Sequence, residues 1–545
     1  MKEGLRLSMA WLHTWSGLLV GWVLFMVFAC GTASYYRDEI TLWMTPEMHQ
    51  ASLAPVDQDV AATAAQRALE QRGAGGSRWF VTMPTERDPA VRVGWVPKPN
   101  KGQGQGQAKA KGRRQFGSAA VDPATGEELG KARETRGGDF FFRLHFDLHY
   151  MPVFWGRWIV GVCAMFMLVA ILSGIVTHKR IFKDFFTFRP GKGQRSWLDA
   201  HNASAVLALP YHLMITYTGL VTLMFMYLPA GLNAVYPEKA DAFYADLNGG
   251  PARDAKPSGT PVALTPLAPL VAQAREKWNG APVGRMVISL PGDANAQILM
   301  TRQESQGLSS QQPSITFDGV TGRLLSEANK DSGAMQTRGV MYGLHIGRFA
   351  GPMLRGLFFL SALAGCAMVA TGVLLWAVKE RPKHLKARLN SNSGGVGFGL
   401  RLVDGLNLGG IAGLMLAMAV FFWANRLVPV GLAGRPELEI QCFFTAWAIA
   451  AVAGLAWPVR WMWRVQLVIG GLLFALLPVL NPLTGGAGLA TSVAQGKWAI
   501  AGFDLVSLAF GAMLLWAAKR LGKVKLAKAP KPQLDKLDKI DEVAA

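Results

Sequence analysis

Hydrophobic positions run in long blocks along the chain, at about 9–36, 153–177, 200–228, 353–378, 402–424, 440–458, 463–480 and 499–518. Each reaches or approaches the ~20 residues that cross a bilayer core at ~1.5 Å per residue, so each predicts a membrane helix. Blocks one and two, and blocks three and four, are separated by long polar inserts with a different pattern. In the first insert, 57–72 has helical spacing, whereas Trp79-Phe80-Val81-Thr82 and Val91-Arg92-Val93-Gly94-Trp95 alternate like strands. The second insert repeats the plan: a helical segment at 265–278 precedes strand-like Met286-Val287-Ile288-Ser289-Leu290 and Gln297-Ile298-Leu299-Met300. Both inserts carry Asp-x-x-Thr-Gly (Asp122 to Gly126, Asp318 to Gly322), a turn in which glycine takes positive φ. The Lys/Gly/Gln-rich stretch between Lys98 and Arg114 has no periodicity and reads as a flexible loop. Its Gly102, Gly104 and Gly106 lack the strand-to-helix setting of a nucleotide fingerprint.

The inserts belong to a larger duplication. His13 lies 18 residues before Gly31, and His201 lies 18 before Gly219. His145, Pro152 and Gly156 are spaced by 7 and 4, and His345, Pro352 and Gly356 repeat those steps. The repeated unit is therefore helix, polar insert, helix, with a histidine entering each helix. Boundaries follow: a first span (1–36), first insert (37–152), spans two and three with a basic loop (153–228), second insert (229–352), span four (353–378), linker (379–401), a four-helix extension (402–518) and a basic tail (519–545).

Charge orients this plan. Lys and Arg number six in 178–196, five in 379–390 and eight from Lys519 onward, against two in 425–439 and one in 481–498. Basic short loops face the cytoplasm, so with eight spans both termini lie inside and both inserts outside. The net charge of +20 is then mainly a topology signal with a share for anionic lipid, and nucleic-acid binding is not favoured. The four cysteines all fall in apolar spans without paired spacing and read as small core residues. The first apolar run is too long for a cleaved leader and no cleavage pattern follows it.

Helices that open on Leu-His and close on Ser173-Gly174, Thr218-Gly219 or Thr371-Gly372, with Asp-x-x-Thr-Gly inserts, resemble the PepSY-associated transmembrane family over roughly residues 5–385. The resemblance implies small α+β PepSY-like domains in the periplasm on a helical membrane core in the inner membrane. The expected fold is thus an all-α membrane bundle of about eight helices, built on a duplicated two-helix unit, with two such domains. It also implies a haem-bearing reductase that acts on a ferric siderophore or another ferric chelate. Residues 400–518 depart from minimal four-span members and contain no histidine; support, quinol binding and partner docking are open roles. Asp504 is their expected intramembrane ionisable residue, with Asp404 at a span entrance.

Imidazole is a common axial ligand of haem iron, and two give a six-coordinate electron-transfer centre. His13 is seven residues past Arg6 and His201 six past Arg195, so both lie ~10 Å from a basic flank. They are paired as ligands of an inner haem b. His145 and His345 correspond in the repeat and are paired as ligands of an outer one, ~27 Å away along the helix. His149, a turn after His145, could replace it. His212, near mid-membrane, could ligate with His149, bond a propionate or relay a proton. His178 reads as a solvated flank residue, and His49 and His384 as loop residues. Arg157, Arg348 and Arg355 could meet propionates or an anionic chelate, with interface anchoring as the plainer role.

The favoured function is a di-haem oxidoreductase taking electrons from quinol or a cytoplasmic donor. No flavin or NAD motif is present. A second reading is a peptide-binding or protease-regulating membrane protein with structural histidines. A third, an iron-chelate transporter, ranks lower because the repeat is parallel and no broken-helix pair is evident.

Overall fold

Apolar runs without internal polar interruption satisfy their backbone groups as helices, the only open option in a bilayer. The computed structural model describes residues 3–49, 56–97, 117–130, 132–178, 187–237, 243, 256–304, 307–328, 333–391 and 397–522. The glycine-rich loop expected between Lys98 and Arg114, much of the first basic loop and most of the basic tail lie outside the described residues. Six helices among these are long and apolar enough to cross a membrane, and up to eight if two bent pairs each count as one span. This is a multi-pass membrane protein.

The first repeat contributes α1 (Glu3–Ser34), α2 (Arg37–Trp43), α3 (Gln58–Arg72), α4 (Gly137–Asp147) and α5 (Val153–Thr177). The second contributes α6 (Gln194–Leu207) and α7 (Leu209–Thr222), which together form the third span, then α8 (Leu267–Lys277), α9 (Gly333–Ile346) and α10 (Pro352–Ser391). Helix α1 packs against α5 and α10, α10 against α6, and α5 against α7, closing a four-span core. The extension follows as α11 (Phe398–Asn407), a π-turn segment Leu408–Gly413, α12 (Leu414–Leu427), α13 (Arg435–Ala456), α14 (Arg460–Ala475), α15 (Leu477–Leu483) and α16 (Trp498–Gly522).

The expectation of unbroken spans is corrected at two places. The third bends by 68° between α6 and α7, and the seventh by 44° between α14 and α15. Pro210 and Pro478 stand at the second residue after each break, where a missing N–H and a ring clash with the preceding turn stop the ladder. One break is in the repeat and the other in the extension, so they are not repeat-related partners.

The inserts do not form two separate domains. They join edge to edge through β1 (Arg78–Thr82) and β4 (Val283–Ser289). The result is one antiparallel sheet with β2 (Val91–Val96), β3 (Gly117–Val121), β5 (Gln297–Arg302), β6 (Ser314–Asp318) and β7 (Leu324–Ala328), in the order β3-β2-β1-β4-β5-β6-β7. Period-two alternation gives the sheet two unlike faces. Val81, Val93, Met286, Ile288 and Ile298 are fully or nearly buried beneath α3 and α8, each contributing about 1.5–3 kcal/mol of burial. Alanines 61, 65 and 68 on α3 let it lie close to α8. Phe80, Thr82, Arg92 and Arg285 are on the other face, above the membrane helices. The two Asp-x-x-Thr-Gly turns are alike: Asp122 Oδ1 accepts from the amides of Ala124 and Thr125, and Asp318 Oδ1 from Val320 and Thr321. Gly126 and Gly322 close them at φ 76° and 70°. Those amide bonds hold the Asp318 carboxyl below its usual range.

Candidate functional site

The two repeats bring four histidines into two pairs. His13 on α1 faces His201 on α6 with ring centroids 6.1 Å apart, and His145 on α4 faces His345 on α9 at 6.0 Å. An imidazole nitrogen binds a first-row metal at about 2 Å and the ring centre lies about 1 Å behind it, so an ion shared by two imidazoles puts their centres about 6 Å apart. Both pairs have that separation.

Each ring is fixed from behind in one way. The Nδ1 of His13 donates to Ala170 O (2.7 Å), of His145 to Val27 O (2.7 Å), of His201 to Met368 O (2.9 Å) and of His345 to Ile215 O (3.1 Å). A carbonyl only accepts, so Nδ1 carries the proton and Nε2 keeps its lone pair. Four residues beyond each carbonyl is a glycine: Gly174, Gly31, Gly372 and Gly219. A Cβ at these glycines would stand 2.9–3.1 Å from the Cε1 of the same histidine. The glycines that close the helices in sequence are therefore seats for imidazoles. Burial lowers the pKa of His145, and burial together with His145 takes His345 down to about 3, so this pair is neutral and able to ligate. No group of three or more His, Cys, Asp or Glu positioned for a metal occurs among the described residues.

His145 and His345 line a cavity of about 570 Å³, together with Tyr35, Tyr211, Arg157 and Arg348. The Tyr35 and Tyr211 hydroxyls are hydrogen-bonded at 2.9 Å. A larger cavity of about 2160 Å³ lies between the exposed face of the sheet and the helices; both share Thr32, Arg37, Arg87 and Arg348 in their walls. The three arginines considered from sequence are all engaged: Arg157 with Asp147 (2.8 Å), Arg348 with Glu304 (3.0 Å) and Arg355 with Glu39 (2.5 Å).

The other histidines are elsewhere. His149 stacks on Phe444 of α13 at 5.6 Å and 13°, within three consecutive left-handed residues, Leu148, His149 and Tyr150. That conformation turns its ring toward the extension and away from His145, and it does not meet His212. His212 is wholly buried against Phe28, with Nε2 3.4 Å from Ser361 O, directly after the α6–α7 break. His178 is bonded to Asn202 at 2.9 Å, and His384 lies in α10 beside Gly397. His49 is no free loop residue. Its Nε2 donates to Leu42 O, its Nδ1 accepts from the Ala487 amide, and burial beside Arg426 holds its pKa at about 4.

The extension holds more ionisable groups than Asp504. Trp43 Nε1 and Asn481 donate to Asp504, and Arg426 lies over the Trp43 ring while bonding Asn481. Arg435 and Glu439 pair with neither exposed to solvent, and Arg133 of the first insert bonds Glu47 and Asn425 O. In the sequence Arg426 and Arg435 count only as the two basic residues of the short loop 425–439; the Arg435-Pro-Glu-x-Glu439 spacing, which puts opposite charges one helical turn apart, was the available signal.

The chain is 27% identical over 403 residues to the uncharacterized Pseudomonas aeruginosa protein PA4219, covering 69% of this chain and 93% of that one. A family model, the PepSY-associated TM region, matches residues 10–379 and so takes in both histidine pairs and the whole duplication. The chain belongs to the PepSY-associated transmembrane family.

Proposed function

We propose that this protein is a di-haem b-type oxidoreductase of the bacterial inner membrane that reduces a ferric chelate, such as a siderophore, on its periplasmic side. The observation that carries the reading is the pair of imidazole pairs: two facing rings about 6 Å apart, each with Nδ1 committed to a carbonyl and Nε2 free. His13 with His201, and His145 with His345, would hold the two haem irons through Nε2. A haem held by these residues would supply one-electron transfer. His13 and the Gly31 seat of His145 are 18 residues apart on α1, ~27 Å along the helix, so the chain holds its two centres near opposite membrane faces. The basic short loops put the His13–His201 end inside, toward quinol or a cytoplasmic donor.

The chain's own groups do the rest. The carbonyl bonds fix ring orientation and tautomer. Arg157 and Arg348 line the cavity of the His145–His345 pair, each held by a carboxylate, and the Tyr35–Tyr211 pair offers a hydroxyl donor on the same cavity wall. On the acceptor side, Arg285 and Arg302 line the large cavity without a carboxylate partner among the described residues. They favour an anionic chelate, whose iron is released once Fe(II) holds its hard oxygen ligands less tightly.

The test is a reduced-minus-oxidised spectrum of the purified chain with pyridine haemochrome quantitation. Two b-type haems per chain are expected; none, after expression with ample haem, overturns the reading. A second prediction uses the glycine seats. Gly31→Val should displace His145 without altering any histidine, taking haem from two per chain to one. The inner-site spectrum should persist, and an unchanged haem content would show that the seat does not position the ring.

A further inference from the structure

The large cavity has two chemically different ends. Its upper part, under the sheet, is lined by seven arginines and four carboxylates. Its lower part descends between α10 and α16 into the membrane region. The wall on α10 is a stripe at helical spacing, Arg355, Phe359, Leu363, Ala367 and Ala370; the wall on α16 is another, Gly502, Val506, Phe510 and Met513. From Arg355 to Ala370 is 15 residues, ~22 Å, more than half of a ~30 Å hydrocarbon core. Val506 and Met513 line this cleft and yet are 51% and 49% exposed, so its mouth opens sideways, toward lipid.

The upper end of the cleft is built for an anion. Helix α10 starts there at Pro352, presenting the positive end of a 40-residue helix. Arg355 is one turn in, mostly buried beside Glu39, with Nε free of any hydrogen bond. Arg87 reaches the same place, donating to Arg348 O and Ala350 O immediately before the helix. A cationic collar over an apolar slot one acyl chain deep fits an amphiphile.

The geometry points to a bound anionic phospholipid of the outer leaflet, its phosphate at Arg87, Arg355 and the start of α10 and an acyl chain between α10 and α16. The lipid floors the cavity and closes it against the bilayer, leaving Arg285 and Arg302 on the sheet to face the aqueous side. This site is independent of the redox reading.

The experiment is native mass spectrometry of the full chain, delipidated in detergent and titrated with phosphatidylglycerol or phosphatidylcholine. Phosphatidylglycerol should be retained preferentially, and Arg87→Gln should weaken it about tenfold, the loss expected when one arginine–phosphate contact goes. Ala367→Trp, which fills the slot, should abolish retention of both lipids. Equal retention of the two lipids by the wild type, or undiminished phosphatidylglycerol on Ala367→Trp, overturns the site. Should Ala367→Trp not fold, Ala370→Leu decides: retention at the wild-type level overturns the site and a loss supports it.

Discussion

Alanine at His201 is expected to take the purified protein from two bound haems to one and to stop electron passage from an inside donor to an outside acceptor. The remaining His13 would still be held by Ala170 O at 2.7 Å, but without the second ring 6.1 Å away. One of the two imidazoles that would hold the inner haem is missing in this variant, so that haem should be lost. The His145–His345 centre should keep its low-spin bands, because its rings are seated on different carbonyls, at Val27 and Ile215. Reduction of an external ferric chelate by an internal donor should fall to background, while direct reduction of the outer centre by dithionite should be unaffected. Alanine at His149 or His212 should leave two haems, since neither ring approaches a pair. Two low-spin haems in His201→Ala would remove the ligand assignment.

Which parts of this were legible in the sequence follows from how local their causes are. The histidine pairing could be read because duplicated spacing places equivalent residues at equivalent depths: Val27 and Ile215 each lie 14 residues beyond His13 and His201. The glycines were visible as helix-closing motifs, but their purpose was not. A missing Cβ matters only when another helix brings an imidazole against it, and that approach is tertiary. The same holds for the sheet. The strands β1, β2, β4 and β5 were legible as strand-like segments, yet the β1–β4 pairing that fuses the inserts joins Trp79 to Ile288, a register no local pattern encodes. His149 was misleading because a turn after His145 implies one helix face, whereas α4 ends at Asp147 and the next three residues are left-handed. Pro210 and Pro478 were in plain view, but the spans containing them read as unbroken, because a proline near a helix start does not by itself show that the preceding turn breaks.

The extension shows what is at stake when such tertiary contacts are charged. Removing the Glu439 carboxylate as alanine should destabilise the protein by about 3–5 kcal/mol, the usual cost of leaving a buried charge unpaired. Glu439 and Arg435 are one turn apart on α13 and wholly buried. Glu439 also accepts from Thr135 (2.6 Å) and Asn425 (2.8 Å), and Arg435 donates to Glu134 O (2.8 Å). The pair thus ties α12 and α13 to the segment that leads into α4 and His145. Around it Arg133, Arg426, Glu47 and Asp504 complete a cluster with three charges of each sign, so a single deletion unbalances the whole. Glu439→Gln keeps an acceptor for Thr135 or for Asn425 but not the countercharge, and should fall between wild type and alanine. The double variant Arg435→Met/Glu439→Leu should recover most of the loss, since apolar replacement of both partners relieves the desolvation cost that neither single change does. Denaturant unfolding in detergent measures each term, with haem absorbance followed in parallel. If the cluster is what seats α4, Glu439→Ala loses the outer haem at lower denaturant than the inner one. Wild-type stability in Glu439→Ala, or simultaneous loss of both haems, would mean that the extension is not what holds the outer pair in place.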